Sequence, residues 1–366
     1  MLRWLLVLAL AAPRTPAQEV EKRLLYVAVP GIRNYLEYGG AGVLVYDIDA
    51  GHKLLRRIPT DYRDTQDPPD APPENVKGVC ASAKTGRLYV STLTRMACID
   101  LKTDRRLWVK RYPDGCDRMS ISPDGRVIYC PTLEKEHWNV VDAVSGELLK
   151  RIETKSGSHN TVYGADGTKV YLGGLRSPML FVADTSTHTV AKQVGPFGGA
   201  VRPFTVNGAQ TRAYVCVNDL LGFEVGDLVT GKLIHRVEVP GVKPGPVKRH
   251  GCPSHGVGLT PDEKEAWVVD AFNQQVHFYD ATAAPPKYLS SLKVRDEPGW
   301  VTFTIDGRYG YPSTGEVVDV RTKKVVATLA DEKGSPVMSE KMVEVDFSGG
   351  VPVRSGDQFG VGRAKP

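Results

Sequence analysis

Seven positions carry the chemistry this sequence could do: Lys77, Asp117, His159, Arg202, His255, Gly299 and Lys341. They stand at matched places in a pattern that repeats along the chain, with Glu340 the alternative to Lys341. Six of them are ionisable, and Arg118, Asn160 and Trp300 follow three of them directly. Gathered at one place, this mixture suits a small anionic or carboxylate-bearing molecule. Arg202 would offer a bidentate fork, and His159 and His255 would donate, accept or switch near neutral pH. The same residues would permit hydrolysis. His159 or His255 would then be the general base toward water, with Arg202 and the lysines stabilising the oxyanion.

A metal is a further option. Asp117, His159 and His255 combine a carboxylate with imidazoles, which suits zinc, iron or copper. The run from Arg249 to His255 adds His250 and Cys252. Its spacing matches no common zinc signature, and the neighbouring lysines and arginines would repel a cation. The bland alternative is a polar channel lining that holds only water. Nucleophilic catalysis has little support. There is no G-x-S-x-G, H-E-x-x-H or P-loop, and Ser158 and Ser254 point away from the histidines that follow them in an extended chain.

These positions mean something together only if the chain is repetitive, and it is. A short apolar strand, a turn such as Pro-Asp-Gly, an apolar–aromatic–apolar strand and a third strand closed by Asp recur in order. The closing aspartates are Asp47, Asp100, Asp142, Asp184, Asp227, Asp280 and Asp319. The second-strand aromatic keeps pace at Tyr26, Tyr89, Tyr129, Tyr171, Tyr214 and Trp267; the seventh copy has Gly310 there, between Tyr309 and Tyr311. Four short strands in about 42 residues, repeated, predict an all-β fold, a single seven-bladed β-propeller with four antiparallel strands per blade. The first copy lacks its first strand. Lys341–Phe347 supplies one at the other end and is predicted to close the first blade. The aspartates are turn residues, because Asp bonds the backbone two residues on.

The segments SPDGRVIYC (122–130), ADGTKVYLG (165–173) and TPDEKEAWVVD (260–270) resemble the YVTN-type repeats of bacterial seven-bladed propellers. The resemblance extends over Leu24 to Phe347. It implies the fold firmly and the function only broadly. Propellers of this kind include secreted or surface proteins, lactonases and subunits of periplasmic redox enzymes, and no activity follows from the repeat itself.

The repeat is broken in three places: at Pro30–Gly42, at Asp61–Val76 and at Val239–Pro253. All three interruptions map to the face that carries the seven positions. Insertions gathered on one face of a repeat array mark a binding face, here one for a small molecule or for a protein partner gripping Tyr35, Tyr38 and Tyr62. Other loop residues on this face are Glu134, His137, Arg176, Asn218, Asp270 and Asn273.

The first 17 residues read as a signal peptide, with a basic start at Arg3, an apolar run Trp4–Ala12 and a small residue at Ala17. Residues 18–348 then form the propeller and 349–366 a C-terminal tail. Nine apolar residues are too few to cross a bilayer, so the mature chain is expected to be exported, periplasmic or extracellular, with no transmembrane segment. Net charge is +5, no basic run stands out, and nucleic acid is not expected as a partner. Six cysteines fall outside any C-x-x-C spacing, and Cys116 and Cys252 are expected too far apart to bridge. The expectation is a monomeric, non-catalytic binding propeller, with a lactonase-like hydrolase or a metal-binding, redox-associated propeller as alternatives. No cofactor is predicted beyond a divalent metal as an option.

Overall fold

Each run of alternating or continuous apolar residues becomes a strand, and the aspartates end the third strand of every copy. Gly42–Asp47, Arg95–Asp100, His137–Asp142, Leu180–Asp184, Gly222–Asp227, Gln275–Asp280 and Glu316–Asp319 all stop at the marker. The reason is local. The carboxylate accepts from amides two or three residues on, as from Val144 and Ser145 at Asp142 and from Val229 and Thr230 at Asp227, which turns the chain back into the fourth strand.

In the computed structural model these strands form seven antiparallel sheets, the blades of a β-propeller. It describes residues 20–363 except 61, 64 and 65. The segment read as a signal peptide lies outside the described residues. The helical content among the described residues is one 3-10 turn, Leu36–Tyr38, inside the first interruption.

The blades pack through their second-strand aromatics, which are buried between neighbouring sheets. The Tyr89 hydroxyl donates across to Ala143 O of the next blade at 2.9 Å. Gly310 replaces the aromatic in blade seven because the ring of Trp267 from blade six occupies its place: a Cβ there would sit 2.5 Å from that ring. One side chain fills the space of two.

Closure is as the repeat count predicts. Met342–Ser348 pairs antiparallel with Lys22–Val29, Lys22 opposite Phe347 and Val27 opposite Met342. The segment beyond it does more than a tail would. Val351–Ser355 adds a fifth strand to the sheet on the axial side, and residues 357–363 then cross the axis on the Pro-Asp-Gly face. Gln358 Oε1 accepts from Val79 N of blade two at 2.7 Å. Gly360 O accepts from Leu259 N of blade six and Thr205 Oγ1 of blade five. Phe359 is buried with its ring centroid 5.7 Å from that of Trp300, in one apolar cluster with Phe204 and Val201. The C-terminal residues therefore plug one end of the channel.

Candidate functional site

At the other end the innermost strands converge on a cavity of about 260 Å³. The first strands of blades two, four and five place Lys77, His159 and Arg202 on its wall, and the segments leading into those of blades three, six and one add Arg118, His255, Glu340 and Lys341. All three interruptions reach it as well: Ile32 and Arg33 from the first, Asn75 from the second, Arg249, His250 and Gly251 from the third.

Arg118 organises the floor. Its guanidinium donates to Glu340 Oε2 at 2.6 Å and to His159 Nε2 at 2.9 Å, with Asp117 Oδ1 at 3.4 Å. Its flat face rests 5.1 Å above the ring of Trp300, and the Trp300 indole N–H donates to Gln358 O of the plug. A planar cation over an aromatic face is favourable, so the plug supports the cavity floor through one tryptophan. Lys341 Nζ donates to Glu340 Oε2 at 2.5 Å and to Gly31 O at 3.0 Å.

Because His159 Nε2 accepts from Arg118, the ring proton sits on Nδ1, and the Asn160 amide 2.7 Å away is turned so that its otherwise unpartnered Oδ1 accepts it. Burial, then Arg118 and Lys77, hold its pKa well below the ordinary histidine value. Burial and His250 do the same for His255. The expectation that these histidines would switch near neutral pH is therefore corrected: both stay neutral through that range, because imidazolium is costly in a dry, cationic setting. Burial also raises the Glu340 carboxyl, but Lys341, Arg118 and His250 outweigh it and hold it well below the usual range. Burial and Arg118 push the Lys341 ammonium down to about 7.

The seventh ring position explains itself. Gly299 carries no side chain because His250, arriving from the third interruption, fills that space. A Cβ there would meet His250 Cε1 at 2.2 Å and Glu340 Oε1 at 2.7 Å. His250 and His255 stack with centroids 4.9 Å apart, and His250 Nδ1 lies 3.1 Å from Glu340 Oε1.

Not every candidate reaches the cavity. Asp117 lies behind Arg118 and Lys77, Asn160 behind His159, and Trp300 beneath the floor. Cys252 is buried with its thiol turned to Ser254 O, and burial raises it to about 12. All six cysteines are buried and unbridged. Of the loop residues, Glu134 lines the cavity and Asn218 accepts from Arg202 Nε. His137, Arg176, Asp270 and Asn273 are engaged elsewhere, with Asp114, Glu136, His277 and Lys243. Tyr62 is buried under its loop, so it offers a partner nothing. Residue types and repeat spacing miss Arg33 and Arg249, whose signal was only that they lie inside interruptions.

Comparisons with known proteins bear on the fold alone. No protein-family model and no curated protein matches the chain. Among solved structures, a chain of a mitotic checkpoint complex covers 84% of this chain and 93% of its own length at 12% identity and TM-score 0.62. A chain of Kuenenia stuttgartiensis hydrazine synthase covers 73% and 98% at 12% identity and TM-score 0.47. The class defined by fold and cavity is a seven-bladed β-propeller, plugged at one end of its axis and open to a polar cup at the other.

Proposed function

We propose that this propeller is exported and binds a small anion, carboxylate or phosphate, in the polar cup, without turning it over. The observation that carries the reading is the charge imbalance of the wall. Arg33, Lys77, Arg118, Arg202, Arg249 and Lys341 line it with two carboxylates, Glu134 and Glu340, while Asp117 behind Lys77 and Arg118, and Asp296 and Glu297 behind Arg249, offset part of that charge and leave Arg33 and Arg202 as the excess. Glu340 is already shared between Arg118 and Lys341. Among the described residues Arg33 and Arg202 have no carboxylate within ion-pair distance and bond only neutral oxygens. Guanidinium groups without a carboxylate partner over a concave, closed-bottomed site are suited to capture of an oxyanion. About 30 Å³ per small molecular group leaves room for roughly nine heavy atoms. Binding is favoured over hydrolysis because both nitrogens of His159 are engaged, and burial with neighbouring charge holds both His159 and His255 well below the ordinary histidine pKa, which makes each a weak general base. The sequence's leader supports export.

The test is calorimetric titration and thermal shift with inorganic phosphate, succinate and citrate. At least one should raise the melting temperature, and Arg202→Ala and Lys77→Ala should each weaken it at least tenfold, about 1.4 kcal/mol. Asp142→Ala, on the opposite face, should leave affinity alone. If no anion of the panel binds, or if both wall variants bind as the parent does, the residues revert to channel lining.

A further inference from the structure

The group behind Gly299 asks for a different ligand from the rest of the cup. His250, His255 and Glu340 each present one donor atom, and the three atoms lie within 4.8 Å of one another. All three residues are buried. The tautomers are set from outside the group. His250 Nε2 faces Glu297 O at 3.1 Å, and His255 Nδ1 faces Gly299 O at 3.2 Å. With neutral rings each carbonyl takes one N–H, which leaves lone pairs on His250 Nδ1 and His255 Nε2; the His255 nitrogen 3.8 Å from Glu340 Oε1 is Nδ1, so that ring must turn to bring Nε2 to the carboxylate. Metal-bound imidazoles are oriented in this way, by a backbone carbonyl on the far nitrogen. The carboxylate is divided likewise. Arg118 and Lys341 hold Oε2, while Oε1 turns to the imidazoles.

His250 Nδ1 and Glu340 Oε1 stand 3.1 Å apart, a hydrogen bond when Nδ1 carries a proton and a contact of two lone pairs when it does not. With a metal cation bound to both, the distance is ordinary. Bonds of about 2.1 Å in tetrahedral geometry put neighbouring ligand atoms about 3.4 Å apart. The longer edges of the triangle, up to 4.8 Å, would need to draw in by as much as about 1.4 Å. A single added proton on His250 would also satisfy the pair, and the experiment below separates the two.

We infer that His250, His255 and Glu340 form a binding site for a divalent first-row metal of the zinc class. Two imidazoles and one carboxylate are the donor set for such an ion with positions left open, and the open side here is the cup. Of the cations that discourage a metal, Arg118 and Lys341 are held on the Oε2 side, while Arg202 and Arg33 are tied to Gly251 O and Arg249 O on either side of His250. An anion in the cup would offset them and would complete the coordination. The inference does not require that anion: it concerns the metal alone and can hold or fail without it.

The sequence pattern pointed to an overlapping set, with His250 and His255 in common. Asp117, His159 and Cys252 are outside this triangle, because Asp117 and His159 are tied to Arg118 and the Cys252 thiol faces Ser254 O. Glu340 takes their place from the strand that closes the ring.

The experiment is equilibrium uptake on the full chain after chelation, using Zn²⁺ alone by calorimetry and Co²⁺ as an optical probe, in buffer free of carboxylates and phosphate. The expected result is one equivalent bound, with visible Co²⁺ bands of a low-coordinate N/O site. His255→Gln and Glu340→Gln should each reduce uptake at least tenfold, and His137→Gln, outside the cup, should not. Absence of uptake by the parent overturns the inference and assigns the extra proton to His250. Uptake equally strong in both ligand variants also overturns it. Should those variants fail to fold, the parent's own Co²⁺ spectrum decides: bands that shift on chemical modification of histidine support the site, and bands of hexa-aquo cobalt refute it. Anion titration of the chelated protein tests the anion reading separately.

Discussion

Gly299 shows how much of this site depends on an atom that is missing. It holds the seventh ring position, yet its contribution is room for His250 beside Glu340. Its φ lies outside the left-handed region that favours glycine, so alanine meets no backbone strain there and the effect of Gly299→Ala is steric. The new Cβ would push His250 away from Glu340. We expect a loss of about 1–3 kcal/mol from overpacking, read as a lower melting temperature, together with at least tenfold weaker Zn²⁺ uptake. A Gly299→Ala protein with parental stability and uptake would show that His250 has another place to go. The ring of ionisable residues was legible from spacing alone, since Lys77, His159, Arg202, His255 and Lys341 do line one cavity. What spacing could not show is which of them bind each other. Arg118 and Glu340 pair across 222 residues of sequence, and that contact exists only once the ring is closed.

The closing hairpin is the element that ties the ends of the chain together, and it carries a titration of its own. Glu344 and Asp346 stand on Met342–Ser348, next but one to each other and so on one side of the strand. Burial, then Asp346, pushes the Glu344 carboxyl up to about 9, against the lowering effect of the Ile305 amide bond. Asp306 also raises it, while Arg354 is committed to Asp346. The folded state therefore keeps a proton that the unfolded chain releases near 4.5. Its stabilisation is full below that value and falls as pH rises toward about 9, above which it is flat. We predict that the midpoint of denaturant unfolding declines across this window and that Glu344→Gln flattens the decline. A slope unchanged in the variant would locate the pH dependence elsewhere. The hairpin was half legible. The first copy's missing first strand pointed to Lys341–Phe347 as the closing strand, but Val351–Ser355 is a partly exposed five-residue run with a proline. It becomes a strand by pairing with a partner that is already in place.

At the scale of the whole molecule, a propeller is a ring whose stability depends on its last joint, and here two joints follow one another. The first is the pairing of Met342–Ser348 with Lys22–Val29. The second is the axial plug, whose bonds reach blades two, five, six and seven. Nothing in the composition of residues 349–366 separates a plug from a loose tail; Gln358 and Phe359 become informative only when Val79 N and Trp300 are seen beside them. Serial truncation distinguishes the joints. A chain ending at Ser348 keeps the ring but loses Phe359, whose buried ring alone is worth about 3–5 kcal/mol. It also loses the bond that steadies Trp300 under Arg118. It should fold cooperatively, melt several degrees lower, and bind anions more weakly because the floor of the cup has lost its support. A chain ending at Gly334 also loses the closing strand and leaves the edge of Lys22–Val29 unpaired. It should lose cooperative unfolding altogether, far beyond the 0.5–3 kcal/mol of an ordinary substitution. If the Ser348 truncation melts and binds like the full chain, the plug is an ornament on a ring that is already complete. If the Gly334 truncation does so as well, the blades hold together by lateral packing, and the ring does not depend on its closing strand.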